Sequence, residues 1–120
     1  MSYSVYLNKN GVTVTVPNHK AGPTYVLDGT RSAEMDVTYN YSKVYSEFPS
    51  PIEEGARFNL RDFSGMSALA SIPILDDMIN VLGNEPDDDY WKPTNGNAGN
   101  ALAIMLYWAR LHPYAVWSVN

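Results

Sequence analysis

The sequence predicts a single α+β domain over residues 1–120: a small antiparallel sheet, made of an N-terminal hairpin plus one or two further strands, packed against C-terminal helices. Three observations carry this. Apolar residues alternate with polar ones through the first sixteen residues, around a central Asn-Gly pair. After residue 64 the apolar spacing changes to three and four, the period of a helix. A length of 120 residues with 45% hydrophobic content suits one domain with a real core.

In the hairpin, Tyr3, Val5 and Leu7 alternate with Ser4, Tyr6 and Asn8, and Val12, Val14 and Val16 alternate with Thr13 and Thr15. Asn10-Gly11 between them tolerates the positive φ of a type I′ turn, and Pro17 ends the second run because it has no N–H to offer a ladder. Thr24 to Leu27 reads as a short third strand closed by Asp28-Gly29. Met35, Val37, Tyr39 and Tyr41 recur every second residue, after which Tyr41, Val44, Tyr45 and Phe48 recur at three and four. That predicts a fourth strand running into a helix near Asn40, with one uninterrupted helix over 33–48 as the alternative. Ile52 to Phe63 reads as a connecting loop.

Pro73 is poorly tolerated inside a helix but well tolerated in a first turn. The prediction for 64–82 is therefore a short turn up to Ala70 and a helix starting near Pro73. Ile74, Leu75, Met78, Ile79 and Leu82 form its buried stripe, and Gly83 stands where a terminating glycine belongs. An acidic linker, Asn84 to Asp89, leads to a last helix from about Asn97 to Leu111, stopped by His112-Pro113. That helix, ALAIMLYWARL in its body, is apolar around most of its circumference, which predicts a central place in the core. Ala98, Leu102, Met105 and Trp108 share one face; Ile104, Tyr107 and Leu111 share another.

Composition excludes several functions. The net charge is −5, with 8 Lys and Arg against 13 Asp and Glu, so no basic stripe exists for a nucleic-acid backbone. An acidic surface suits solubility or a basic partner. Cysteine is absent, which removes disulfides, thiolate nucleophiles and cysteine-held metals. The N-terminus lacks the pattern of a signal peptide, and the longest apolar run, Ala101 to Ala109, is far short of the roughly 20 residues that span a bilayer. The expectation is a cytoplasmic protein with no cofactor, no metal and no membrane contact, its oligomeric state open.

The residues able to carry function concentrate in three stretches. In DDDYWKPTNGNAGN, Thr94, Asn95 and Asn97 are good helix caps, and Gly96 and Gly99 allow close backbone approach. Such a helix end either caps itself or receives an anion, but its glycine spacing matches no phosphate-binding loop. Glu85 and Asp87 to Asp89 lack the glycine and glutamate of a calcium loop and read as solvated charge. In Pro17 to Thr30, His19 with Thr24 and Tyr25 has the composition of a functional loop, yet no triad can be built around it. Asp36 to Tyr45 packs three tyrosines into ten residues, which suits a binding surface or a half-buried sheet face.

GPTYVLDGT, the TYNY at Thr38 to Tyr41, DDDYWKPTNGNAGNAL and the terminal PYAVW together resemble a family of small, uncharacterised bacterial and phage proteins. The resemblance omits Phe48 to Ser64, and Pro23 and Asp28 stand where that family has glycines. It implies no catalytic residue, only that His19, Thr24, Tyr25, Asn40, Tyr41 and the YWKPT-GNA stretch cooperate.

The favoured expectation is a non-enzymatic binding protein, phage-encoded, that sequesters a small anionic, nucleotide-type ligand to blunt a host defence. Its candidate ligand residues are His19, Thr24, Tyr25, Asn40, Tyr41, Tyr90, Trp91, Thr94, Asn95, Gly96 and Asn97, with no catalytic or metal residue. The second reading is an inhibitor that docks on a host protein through its acidic surface. The third is a small enzyme using His19 with a carboxylate such as Glu34 or Asp36.

Overall fold

A computed structural model describes residues 1–17 and 31–120, and Tyr25 and Val26 by their backbone alone. The fold is α+β, as the patterning requires. The long strand β1 (Ser2–Lys9) turns through Asn10 and Gly11, whose φ values of 55° and 77° are the positive pair expected of the turn, into β2 (Val12–Thr13). β3 (Tyr25–Val26) and β4 (Glu34–Thr38) complete the N-terminal part of the sheet. A 3-10 turn at Tyr39–Tyr41 then leads into the short helix α1 (Ser42–Tyr45). The change of period near Asn40 thus marks a real strand-to-helix junction.

The sheet has a further strand that patterning missed. The chain returns as β5 (Val116–Val119), antiparallel to β1, with Leu7 opposite Trp117 and Val5 opposite Val119. Val5 also pairs with Met35 of β4, so β1 is central and β4 and β5 flank it. Alternation puts Tyr3, Val5, Leu7, Met35, Val37, Trp117 and Val119 on the buried face. Ser2, Ser4, Asp36 and Ser118 fall on the other. The outer edge of β5 is covered rather than open: Trp117 N–H donates to Met66 O at 3.0 Å, and Gly65 N–H to Trp117 O at 2.8 Å.

Helix α2 (Ala68–Leu82) is continuous through Pro73, which corrects the expectation of a break before it. The first turn is tied down strongly enough to absorb the proline. Ser67 caps Ala70 N–H at 3.1 Å, Ser71 Oγ donates to Ala68 O at 2.7 Å, and the Trp117 indole donates to Ser71 Oγ at 2.8 Å. Ala68, Ser71 and Leu75 are wholly buried beneath that turn, whereas Pro73 is exposed, so its ring meets solvent. Of the expected stripe, Leu75, Met78 and Leu82 are buried and Ile74 and Ile79 only partly so. Gly83 ends the helix with φ 75°.

Helix α3 (Asn95–Leu111) packs on α2 and starts two residues before the expected boundary. Ala98, Leu102, Met105 and Trp108 are buried as expected, while Tyr107 and Leu111 are about half exposed, so the helix is a wall of the core and not its enclosed centre. A Cβ built on Gly99 would fall inside the Gly83 carbonyl oxygen, and one on Gly96 inside that of Glu85. These two glycines let residues 83–85 cross the helix at backbone contact. His112 caps its C-terminus and sets Nε2 2.7 Å from Thr15 O, a carbonyl, so that nitrogen carries the hydrogen. Residues 52–63, expected to be loop, instead form an arch and a 3-10 helix (Leu60–Phe63) with a capping box at Asn59 and Asp62. Among the described residues no helix is long and apolar enough to cross a membrane.

Candidate functional site

The acidic run Asp87–Asp89 and the Tyr90-Trp91 pair form one compact loop ahead of α3, and a single side chain organises it. Asn97, the third residue of α3, is fully buried. Its Oδ1 accepts from Asp87 N–H at 2.8 Å, and its Nδ2 donates to Asp89 O at 3.0 Å and Lys92 O at 2.9 Å. Thr94 Oγ1 in turn accepts from Asn97 N–H at 3.1 Å, the cap that its position predicted. The carboxylates tighten the turn. Asp87 Oδ1 accepts from Asp89 N–H at 2.9 Å, Asp89 Oδ1 accepts from Trp91 N–H at 3.1 Å, and Lys92 Nζ sits 3.9 Å from Asp87. The run is therefore turn-forming as well as solvated.

The junction after β4 reaches across to the same loop. Asn40 Nδ2 donates to Trp91 O at 2.8 Å, and the Tyr41 hydroxyl donates to Tyr90 O. Burial, with Tyr90 and Asp89 adding to it, pushes the Tyr41 phenol up to about 12, so it remains a donor at ordinary pH. Tyr45, fully buried, donates to Ala98 O at 2.9 Å, and burial raises its phenol well above the usual range. Thr38 supports the junction by accepting Asn40 N–H at 3.1 Å.

What these bonds hold up is an aromatic ledge. The Tyr90 and Trp91 rings lie 4.4 Å apart at 34°, and Trp91 is 50% exposed, whereas Trp108 and Trp117 are each 1% exposed. Below it lies a small cleft of about 100 Å³, walled by Met1, Ser2, Asp36 and Thr38 as well as by the two aromatic residues. Asp36 comes from the polar face of the sheet, where its backbone is paired with Tyr25.

Of the residues singled out from the sequence, the structure joins Asn40 and Tyr41 to Tyr90 and Trp91, and Thr94 to Asn97. Asn97 and Thr94 face their own loop. Asn95 is exposed, and Gly96 is occupied by the crossing at Glu85. His19, Thr24 and the Tyr25 side chain lie outside the described residues. Among the described residues no three His, Asp or Glu side chains are placed to hold a metal ion.

A second concavity had no counterpart in the sequence reading. Between the arch at 48–51 and the outer side of α2 lies an apolar groove of about 350 Å³. Its only sequence signals were the paired prolines and a helix whose apolar residues spread wider than one buried stripe.

No family model, no curated protein and no solved structure matches this chain.

Proposed function

We propose that this is a non-enzymatic binding protein whose contact is the Tyr90–Trp91 ledge, and that its partner is a protein surface presenting a cation. The observation that carries the reading is Trp91, half exposed on a backbone held by Asn40, Tyr41, Asp89 and Asn97. A large apolar ring left in water gains when a partner covers it. One held rigidly loses little entropy when that happens, which is why tryptophan and tyrosine dominate interface energetics.

Charge supports the class of partner. Asp36 lines the cleft and Asp88 is exposed beside the ledge, while Lys92 is paired with Asp87. A guanidinium stacked on the open indole face would meet both the ring quadrupole and these carboxylates. A free nucleotide suits the place less well. The cleft is smaller than the roughly 300–1,000 Å³ of small-molecule sites, and a carboxylate lines the space where a phosphate would go.

Tryptophan emission tests this directly, because the other two tryptophans are buried. Titration with an oligoarginine peptide should change Trp91 emission in a salt-dependent way. Trp91→Ala should weaken binding of a fluorescein-labelled form of that peptide, followed by anisotropy, at least tenfold, about 1.4 kcal/mol, while leaving thermal stability nearly unchanged. A thermal shift with mono- or cyclic dinucleotides that Trp91→Ala abolishes would restore the nucleotide reading. Peptide binding indifferent to Trp91 would remove the ledge as the contact.

A further inference from the structure

We infer that the groove between the arch and α2 is a separate docking site for a short basic segment of a partner protein that inserts an apolar side chain. It shares no residue with the ledge and does not depend on it.

The groove is preformed. Its arch is closed by Ser50 N–H donating to Ala56 O and Phe58 N–H donating to Phe48 O, each at 2.9 Å. Inside it, Ser50 Oγ accepts from Ile52 N–H and Glu53 N–H at 3.2 Å. Pro49 and Pro51 stiffen this wall. The opposite wall is the outer stripe of α2, where Ile74, Met78 and Val81 recur at four and three, one face of a helix. Only Met78 is buried in the core; Val81 is 71% exposed, and Ile52 at the tip of the arch is 63% exposed. A concavity of about 350 Å³, with apolar walls and few polar groups, lies within the range that receives bulky apolar groups.

Charge decides the occupant. The segments that supply the two walls, residues 47–56 and 68–82, contain Glu47, Glu53, Glu54, Asp76 and Asp77 and no basic residue, and Asp77 lines the groove itself. Arg57 follows the arch directly in sequence, its backbone bridged to Pro49. A second copy seated groove to groove would bring the same acidic segments together, which opposes self-association. Anionic lipid and nucleic acid are opposed in the same way. An apolar anchor flanked by lysine or arginine satisfies both floor and rim.

The test uses the full chain and a fluorescein-labelled dodecapeptide of leucines interleaved with lysines, with a counterpart in which glutamate replaces lysine. Fluorescence anisotropy should show saturable binding of the lysine peptide and at least tenfold weaker binding of the glutamate peptide. Val81→Lys should reduce affinity for the lysine peptide at least tenfold. Asn80→Lys, which adds the same charge one residue away from the groove lining, should reduce it less than threefold, and Trp91→Ala should leave it unchanged. Thermal melts of both lysine variants should match the parent, because both positions are exposed. Equal binding of the two peptides, or equal loss in both lysine variants, would overturn the assignment. So would a concentration-dependent dimer in sedimentation velocity that Val81→Lys abolishes, since the occupant would then be a second copy.

Discussion

Replacing Asn97 with alanine tests the loop that carries the ledge. The side chain is wholly buried and serves three main-chain groups: Asp87 N–H, Asp89 O and Lys92 O. A fully buried group stripped of its partner costs about 1–3 kcal/mol, and an ordinary bond contributes about 0.5–1.5 kcal/mol net. Asp89 and Lys92 are exposed and Asp87 is partly so, so water can reach the abandoned groups and the lower scale applies. Three bonds on that scale give about 2–4 kcal/mol, a large share of the ~5–15 kcal/mol that holds a domain together. Urea unfolding followed by circular dichroism measures it, as a lower midpoint with unchanged slope. Because the same bonds position Trp91, acrylamide should also quench the variant's tryptophan emission faster than the parent's. Asn97→Asp is the sharper control. It keeps an acceptor for Asp87 N–H but turns a carboxylate toward two carbonyls, so it should be at least as destabilising as alanine. A loss below about 1 kcal/mol with unchanged quenching would refute the view that Asn97 holds the loop.

Local signals in the chain were legible where one residue decides the conformation. Asn10-Gly11 named the turn because few other pairs accept positive φ twice, and the structure has those angles. The switch at Asn40 was legible because side chains on a strand and on a helix repeat differently. The buried face of α3 was legible for the same reason. β5 was not, because four residues, Val116–Val119, carry too little pattern and their partner β1 lies at the other end of the chain. Pro73 misled because its local cost is real, while what outweighs it, the chain from Trp117 through Ser71 to Ala68, is tertiary.

The candidate site divides along the same line. Asn97 reads in sequence as a helix cap with an amide to spare for a ligand, and only its burial among Asp87, Asp89 and Lys92 shows that the amide is spent on its own loop. Gly96 and Gly99 read as places of close backbone approach, and residues 83–85 make that approach, which leaves no room at Gly96 for the ligand also expected there. Asn40 and Tyr41 were tied to the YWKPT stretch through resemblance alone, and their bonds to Trp91 and Tyr90 supply the physical reason. No periodicity could have paired the turn after β4 with a loop fifty residues later.

Two further outcomes follow from packing and from titration. Gly99→Ala in an ordinary helix would stabilise by up to about 1 kcal/mol. Here the added methyl meets the Gly83 carbonyl, so the variant should instead lose about 1–3 kcal/mol, and a melting temperature equal to or above the parent's would disprove the crossing at Gly83. The second concerns alkaline pH. Burial first, and then Tyr90 and Asp89, raise the Tyr41 phenol from 10.0 to about 12, so the folded state keeps a proton that the unfolded state has begun to lose. Its contribution to stability is therefore complete below pH ~10 and disappears as pH rises through about 12, with Tyr45 acting in the same direction. Tyr41→Phe removes both the titrating proton and the bond to Tyr90 O, so it should be less stable than the parent at neutral pH by about 1 kcal/mol. Between pH 10 and 12 its stability should then fall less steeply, by up to one proton's worth of slope, in parallel urea titrations. Parallel curves for the two proteins across that window would show that the Tyr41 phenol is not held neutral by the fold.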